Sequence, residues 1–359
     1  MSTVESPTSI DLPYAPAVDG LVIRHAHDDD WPAMAETLNA TRAGDGVDEV
    51  RTTESLRGEY AHLDEFRTER DVLVALVQGR MVGFAMGVLT EREGLLVGEM
   101  WGAVRPEYRH QGIGTTLWHA NRDRLAEAAA ADPRPGPREL RSYALDIESA
   151  DLALIADQGY VPIRYGFEMR RFVTGSLPEH PLPDGLELRP VRPEDHRAIW
   201  EADAEAFRDH WGHREQTEGD FVARFAAPET DTTLWSVAWD GDQVAGSVMT
   251  AIFTEENEAL GIKRGWLEHV SVRRPWRGKG LAKALCADAF RVLRDRGMEE
   301  AWLGVDGTNP TGALQLYEHL GFTVGRRWQA FGRPMDRPAP EGWTSGAEAG
   351  PADDPRRAG

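Results

Sequence analysis

Two short segments of the chain combine basic residues with closely spaced small residues, a pattern that suits a phosphate group. The first glycine turn, as we call it, covers residues 109–114 and contains Arg109, Gly112 and Gly114. The second glycine turn covers residues 277–282 and reads Arg-Gly-Lys-Gly-Leu-Ala. Small residues let the backbone approach an anion, and the N–H groups at the start of a following helix attract it. Because Arg and Lys add charge-assisted bonds, both turns predict a pyrophosphate site.

The second half of the chain also offers a proton donor. Tyr317 lies eight residues after Asn309 and four before Gly321 and Phe322. A phenol is protonated at neutral pH and can pass its proton to a leaving group. Asn309 precedes a proline that opens a short helix, so capping that helix is a sufficient role for its side chain.

Glu268 is the candidate proton acceptor, on a strand-like segment that leads into the second glycine turn. Its carboxylate can accept a proton, or it can hold a cationic ligand without any proton transfer. In a regular strand, residues two apart share a face, so Glu268 is expected on the same side as Trp266. His269 is then expected on the opposite side, packed and not catalytic.

The two glycine turns belong to a repeat, since Arg277 follows Arg109 by 168 residues, about one domain length. Each half runs through a strand, a helix, three further strands, the glycine turn with its helix, and a strand, a short helix and a last strand. We therefore predict an α+β fold, with a mixed central sheet flanked by helices in each of two tandem domains. The predicted limits are a flexible arm (1–20), an N-terminal domain (21–173), a linker (174–185), a C-terminal domain (186–336) and a disordered tail (337–359).

Composition restricts the class of partner. Acidic residues outnumber basic ones 60 to 40, for a net charge of −20, which argues against nucleic acid or an anionic membrane as the main partner. The start of the chain lacks the basic and apolar regions of a signal peptide, and no apolar run approaches the roughly 20 residues of a membrane span. We therefore expect a cytoplasmic protein, monomeric or homodimeric. Cys286 is the single cysteine, so no cysteine-based metal cluster is possible and we expect no metal.

The order of elements, with Arg-x-x-Gly-x-Gly/Ala after the fourth strand and Asn-x₇-Tyr-x₃-Gly-Phe near the end, resembles the GNAT superfamily of acyl-CoA-dependent N-acyltransferases. The resemblance covers residues 20–173 and 186–336. Among tandem members, the chain is similar to mycothiol-synthase-like proteins. What the resemblance implies is a pair of tandem GNAT-like acyltransferase domains, with acetyl-CoA as cosubstrate and a small-molecule amine as acceptor.

The resemblance also implies roles for individual residues. Tyr317 would protonate the departing thiolate, and Glu268 would be the general base, although the family's position matches Trp266 more closely. The implied cofactor-binding residues are Val270, Val272, Arg277, Gly278, Lys279, Gly280, Leu281, Ala282 and Asn309, with Arg109, Gly112 and Gly114 in the first half. The implied substrate-binding residues are Phe207, His210, Trp211 and Trp266.

The first half departs from the family pattern. Counted back from Gly159-Tyr160, the position of Tyr317 falls on Ile155 and that of Asn309 on Ile147. We therefore expect the first half to keep the fold without turnover, and its glycine turn leaves cofactor binding in this half open. Direct transfer from acetyl-CoA to a small amine in a ternary complex is the leading prediction. A non-catalytic acyl-CoA sensor and a protein-lysine acetyltransferase are the alternatives.

Overall fold

The structure is a computed structural model that describes residues 9–61, 63, 66–208, 210–308 and 312–345. These residues form two compact units by their internal packing. The N-terminal unit contains the described residues up to Ile163 and from Gln329 onward, and the C-terminal unit is Arg164–Trp328.

The N-terminal unit follows the predicted α+β order. Its elements are β1 (Leu21–His25), α1 (Trp31–Asp45), α2 (Thr53–Ala61), α3 (Thr68–Asp71), β2 (Val72–Val77), β3 (Arg80–Arg92), β4 (Leu95–Val104), α4 (Ile113–Ala131), β5 (Arg138–Leu145), α5 (Ser149–Asp157) and the start of β6 (Val161–Phe172). Strands β1 to β5 lie side by side in chain order. β4 and β5 pair in parallel, whereas β3 and β4 pair antiparallel, so the sheet is mixed.

The C-terminal unit repeats this order. After the rest of β6 come β7 (Glu187–Leu188), α6 (His196–Phe207), α7 (Glu218–Ala226), β8 (Ser236–Asp240), β9 (Gln243–Ala251), α8 (Thr254–Leu260), β10 (Arg264–Val272), α9 (Leu281–Asp295), β11 (Glu300–Asp306), α10 (Ala313–His319) and the start of β12 (Thr323–Pro334). Its strands lie in the order β12-β6-β11-β10-β9-β8-β7. The α+β prediction is therefore confirmed for both halves.

Helices cover both faces of the C-terminal sheet. On one face, α9 buries Leu285 and Phe290 against Leu267 and Leu303. On the other face, α6 buries side chains at helical spacing against β8 and β9. Strand β10 therefore lies between two helical layers, which holds its side chains in fixed positions.

The units divide inside β6 and β12 and not within the predicted linker. Residues 174–185 contain neither helix nor strand. However, Gly166–Phe172 of β6 pair with β11 inside the C-terminal unit, and the Met335 N–H donates to the Arg138 carbonyl (3.0 Å) inside the N-terminal unit. Each unit thus includes strand residues from beyond the limits 21–173 and 186–336. Sequence periodicity shows that a segment is a strand but not which strand it pairs with.

Parts of the predicted flexible arm and disordered tail make defined contacts in the residues that the structure describes. The Ile10 N–H donates to the Ile23 carbonyl (2.8 Å), and the Ile10 and Leu12 side chains pack on the N-terminal core. In the tail, Ser345 is buried and its hydroxyl bonds the Glu139 carboxylate (2.9 Å). These contact residues are isolated among Pro, Gly and Ser, so the composition of the two segments does not indicate them. Among the described helices, none has both the length and the apolarity to cross a bilayer.

Candidate active site

The second glycine turn has the backbone that its sequence requires. Gly278 (φ +72°) and Gly280 (φ +86°) both adopt the left-handed conformation, and Gly280 caps the N-terminus of α9. A Cβ built on either glycine meets no described atom within 4 Å, so open space lies against the turn. The Ala284 N–H donates to the Gly280 carbonyl (3.1 Å), where the helical hydrogen bonds begin. The N–H groups before Ala284, including those of Leu281 and Ala282, are therefore placed to bind an anion.

The basic side chains of this turn contact the backbone around it. Arg277 donates from Nε to the Val272 carbonyl (2.9 Å) and from Nη2 to the Ala206 carbonyl (3.1 Å). Lys279 donates to the Pro275 carbonyl (3.0 Å). Through these bonds Arg277 holds the turn against β10 and α6, and the Lys279 side chain lies beside the turn.

The facing edges of β10 and β11 stop pairing before this turn, and we call the gap between the two edges the cleft. The two strands pair in parallel from Arg264 to Trp266, where Trp266 lies opposite Trp302. Beyond that point β10 continues to Val272 with its other edge paired to β9, and β11 continues to Asp306 with its other edge paired to β6. Within the described residues, the pairing of β10 with β11 thus ends before Val270 and Val272. A backbone edge is left open to an extended ligand there.

A β-bulge at Glu268 corrects the predicted side-chain directions. Leu267 lies opposite Thr250 and His269 opposite Met249, so Glu268 is an extra residue. Since opposite residues share a face, His269 lies on the same side of the sheet as Trp266. The prediction that His269 faces away was wrong, because one inserted residue reverses the alternation.

The bulge directs Glu268 and His269 toward α6 and α7. The His269 Nδ1 lies 2.7 Å from a carboxylate oxygen of Asp203, which is buried on α6. Arg224 of α7 donates to the His269 Nε2 (3.2 Å) and to the Glu268 carboxylate (3.0 Å). An Nε2 that accepts from Arg224 leaves the ring proton on Nδ1, which donates to Asp203. Sequence analysis missed Asp203 and Arg224, which lie far from β10 in the chain.

Two of the predicted substrate-binding residues lie beside this histidine. The Phe207 ring centroid is 5.0 Å from that of His269 and 4.4 Å from that of His210. Burial lowers the pKa of His210, which favours its neutral form. Phe207 and His210 therefore form an aromatic wall next to His269.

The other predicted substrate-binding residues lie near β11. Arg164 is 5.4 Å from the Trp211 ring centroid and pairs with Asp306 at the end of β11 (2.6 Å). The Trp266 ring packs against Trp302, with centroids 5.7 Å apart. Trp211 and Trp266 thus contact residues of β6 and β11, while Phe207 and His210 lie beside His269.

Tyr317 is buried on α10, with its ring edge against Phe322 (centroids 5.9 Å apart). Burial, and to a lesser degree the neighbouring Cys286, raises its pKa well above the usual range, so the phenol stays protonated at neutral and mildly alkaline pH. Burial also raises the pKa of Cys286 to about 12, which keeps that thiol protonated and unreactive. Asn309 lies outside the described residues.

The first glycine turn is in contact with other parts of its own unit. A Cβ on Gly112, which caps the N-terminus of α4, would lie 3.3 Å from Pro16, and Gly114 is the second residue of that helix. Arg109 makes a bidentate ion pair with the buried Asp45 (2.6 and 2.7 Å). Because the charge of Arg109 is compensated and Pro16 lies over the turn, this arrangement does not favour the predicted cofactor role of Arg109, Gly112 and Gly114. Ile155, at the position of Tyr317, is buried in the core.

An open strand edge that leads to a glycine turn at a helix N-terminus, with the Tyr317 phenol packed in the core that α9 shares, is the arrangement expected of an acyl-CoA-dependent transferase. No group of three or more potential metal ligands is found in the part of the chain that the structure describes.

Comparisons with known proteins agree with this class. Residues 196–322 match the model of the acetyltransferase (GNAT) family, and residues 68–148 match a second GNAT domain model. A mycothiol acetyltransferase of Salinispora arenicola is 33% identical over 307 residues, which is 84% of this chain and 92% of the relative.

Solved structures agree as well. A GCN5-related N-acetyltransferase from Sphaerobacter thermophilus superposes with a TM-score of 0.68 at 25% identity, covering 91% of this chain and 99% of that one. A tandem GNAT protein from the clavulanic acid biosynthesis pathway shares the fold, with a TM-score of 0.63 at 17% identity, covering 88% and 98%. The chain belongs to the GNAT family: it is a tandem GNAT, acetyl-CoA-dependent N-acetyltransferase similar to the mycothiol acetyltransferases.

Proposed function

We propose that the C-terminal unit transfers the acetyl group of acetyl-CoA directly to a primary amine of a small molecule, with the des-acetyl form of mycothiol as the first acceptor to test. The cleft between β10 and β11, which ends at the second glycine turn, is the observation that carries this proposal. The naming of the relatives as mycothiol acetyltransferases supports the choice of acceptor.

The residues of the C-terminal unit fit the cosubstrate. The N–H groups of Gly278 to Ala282 would hold the pyrophosphate, with Arg277 and Lys279 alongside. The open edge at Val270 and Val272 would pair with the extended pantetheine arm. The empty space against Gly278 and Gly280 supports this fit, since a side chain at either position would fill it.

Three groups would carry the chemistry. The edge at Val270 would place an N–H on the thioester oxygen and stabilise the charge that develops there. The Tyr317 phenol would protonate the departing thiolate. Glu268 lies on the acceptor side of the bulge and would bind the cationic amine or take its proton. Since the Cys286 thiol is buried and protonated, the amine would attack the thioester directly and no acyl-cysteine would form.

Glycine substitutions would test the cofactor site. Gly280→Val places a branched side chain in the space before α9, and we expect acetyl-CoA binding, measured by calorimetry, to weaken at least about tenfold. Gly297→Val is the matched control, because Gly297 has a similar φ (+80°) and equally open surroundings but lies after α9. Equal loss of binding in both variants would show a general folding defect.

Turnover tests the reaction itself. Acetyl-CoA and des-acetyl mycothiol, with glucosamine and spermidine for comparison, should give an N-acetyl product by mass spectrometry only when the C-terminal site is intact. Binding of acetyl-CoA without turnover of any amine would favour the non-catalytic sensor. Turnover of a lysine peptide above all small amines would favour a protein-lysine acetyltransferase.

A further inference from the structure

We propose that His269 is the proton acceptor of the reaction, that Asp203 orients it, and that Arg224 covers its free nitrogen until the amine arrives. The proposal rests on the acetyltransferase function above. It gives Glu268 a positioning role, as the carboxylate that holds Arg224.

The location of His269 is the first argument. Its backbone lies at the bulge, one residue before the open edge at Val270, beyond the last β10–β11 pair. Its side chain is about 25% exposed, while Asp203 behind it is 1% exposed. The ring therefore has one solvent-exposed side and one buried carboxylate partner, which is the arrangement that a general base needs.

The second argument is the direction of the ring. The contact between Nδ1 and Asp203 (2.7 Å) fixes the tautomer with its lone pair on Nε2. The second oxygen of Asp203 is buried without a hydrogen-bond partner among the described residues. A buried carboxylate with spare acceptor capacity stabilises the imidazolium that forms beside it when Nε2 takes the proton of the amine.

Other charged groups face this histidine from the elements around it. Arg224 on α7 and Glu268 on β10 contact it, as described above. His210, next to Phe207, also interacts electrostatically with His269, and burial favours the neutral form of His210. Arg224 is therefore the positive charge in contact with Nε2. It can leave Nε2 while keeping its ion pair with Glu268.

The proton balance closes without a further reactant. An amine that arrives as an ammonium ion first gives one proton to solvent. The neutral amine then attacks the thioester carbon, and its nitrogen passes a proton to Nε2, so the imidazole becomes an imidazolium. The C–S bond breaks, and the thiolate takes the phenolic proton of Tyr317. His269 then releases its proton and Tyr317 regains one through solvent, so the net transfer is one proton from amine to thiol.

The pH dependence of kcat/KM would separate the candidate bases. For His269→Gln, whose amide can still bond Asp203, we expect a loss of about 10²- to 10⁴-fold near neutral pH. The acid limb of the profile is the fall of kcat/KM at low pH. In this variant it should be replaced by a steady rise of kcat/KM of about tenfold per pH unit, because the amine must lose its proton unaided. Asp203→Asn should change the profile in the same direction by less. Glu268→Gln should keep the acid limb, and so should His319→Gln, the control at an exposed histidine that bonds the carbonyl of Gln315.

Two further measurements guard against a folding defect. Acetyl-CoA affinity by calorimetry should stay within about twofold of the wild type. Added imidazole should restore part of the activity of His269→Ala, which it would not do if His269 only packed against Phe207. An unchanged profile in His269→Gln, or loss of the acid limb in Glu268→Gln alone, overturns the proposal and leaves the acetyltransferase function standing. A wild type that binds acetyl-CoA but acetylates none of the amines overturns both.

Discussion

Replacing Tyr317 by Phe removes one hydroxyl from the buried side chain of α10 and keeps the ring. The edge contact with Phe322 uses only the ring, and no hydrogen bond joins the hydroxyl to another described residue. We therefore expect the free energy of unfolding to change by less than about 1 kcal/mol. Thermal melting should shift by no more than about 4 °C.

The effect on turnover should be much larger. Loss of a general acid costs about 10²- to 10⁴-fold in rate, or about 2.7 to 5.4 kcal/mol of transition-state stabilisation. Because burial keeps the pKa of Tyr317 above its usual range, the phenol is protonated from pH 6 to 9 and the loss should be similar across that range. Acetyl-CoA affinity should stay within about twofold, since the second glycine turn is untouched.

The assay is kcat from N-acetyl product formed in single-time-point mass spectrometry at saturating acetyl-CoA, alongside calorimetry of binding. A kcat within about threefold of the wild type would refute the acid role. A fall in kcat accompanied by an equal fall in affinity would also refute it, because it would point to a packing role for the hydroxyl.

Three further predictions concern other parts of the chain. Calorimetry should find one acetyl-CoA per chain, because Asp45 binds Arg109 and Pro16 lies over Gly112; two sites would contradict this interpretation. Burial, with Glu148 and Asp45, raises the pKa of Asp151 to about 7, so its contribution to stability is present below about pH 4 and lost as the pH rises through 7. Asp151→Asn should therefore raise the melting temperature at pH 8 more than at pH 5, and the exposed Asp157→Asn should raise it at neither. Trp211→Ala, which removes the ring that stacks on Arg164, should raise the acceptor KM and leave acetyl-CoA affinity unchanged; an unchanged KM would place the acceptor elsewhere.

The part of the site that depends on backbone conformation could be predicted from the sequence. Gly278 and Gly280 are glycines because that turn needs positive φ, and residue type reports conformation directly. His269 could not be predicted, because a bulge changes which side chains face the cleft without leaving a compositional mark. Its partner Asp203 is 66 residues earlier, and only the packing of α6 on the sheet brings the two together.

The residue types at matching positions separate the two units chemically. In the N-terminal unit, β3 and β4 pair without a break, and the recorded pairing of β4 with β5 ends at Glu99 and Arg141, short of the end of either strand. The fold and an open strand edge are thus present in both units.

The residue at the position of His269 is Trp101, which packs on Phe84 and donates to the Tyr60 hydroxyl (2.6 Å) in an aromatic core. With Trp101 in place of His269 and Ile155 in place of Tyr317, this unit has neither the base nor the acid that we propose for the C-terminal unit. Restoring one of them alone should therefore not create a second active site.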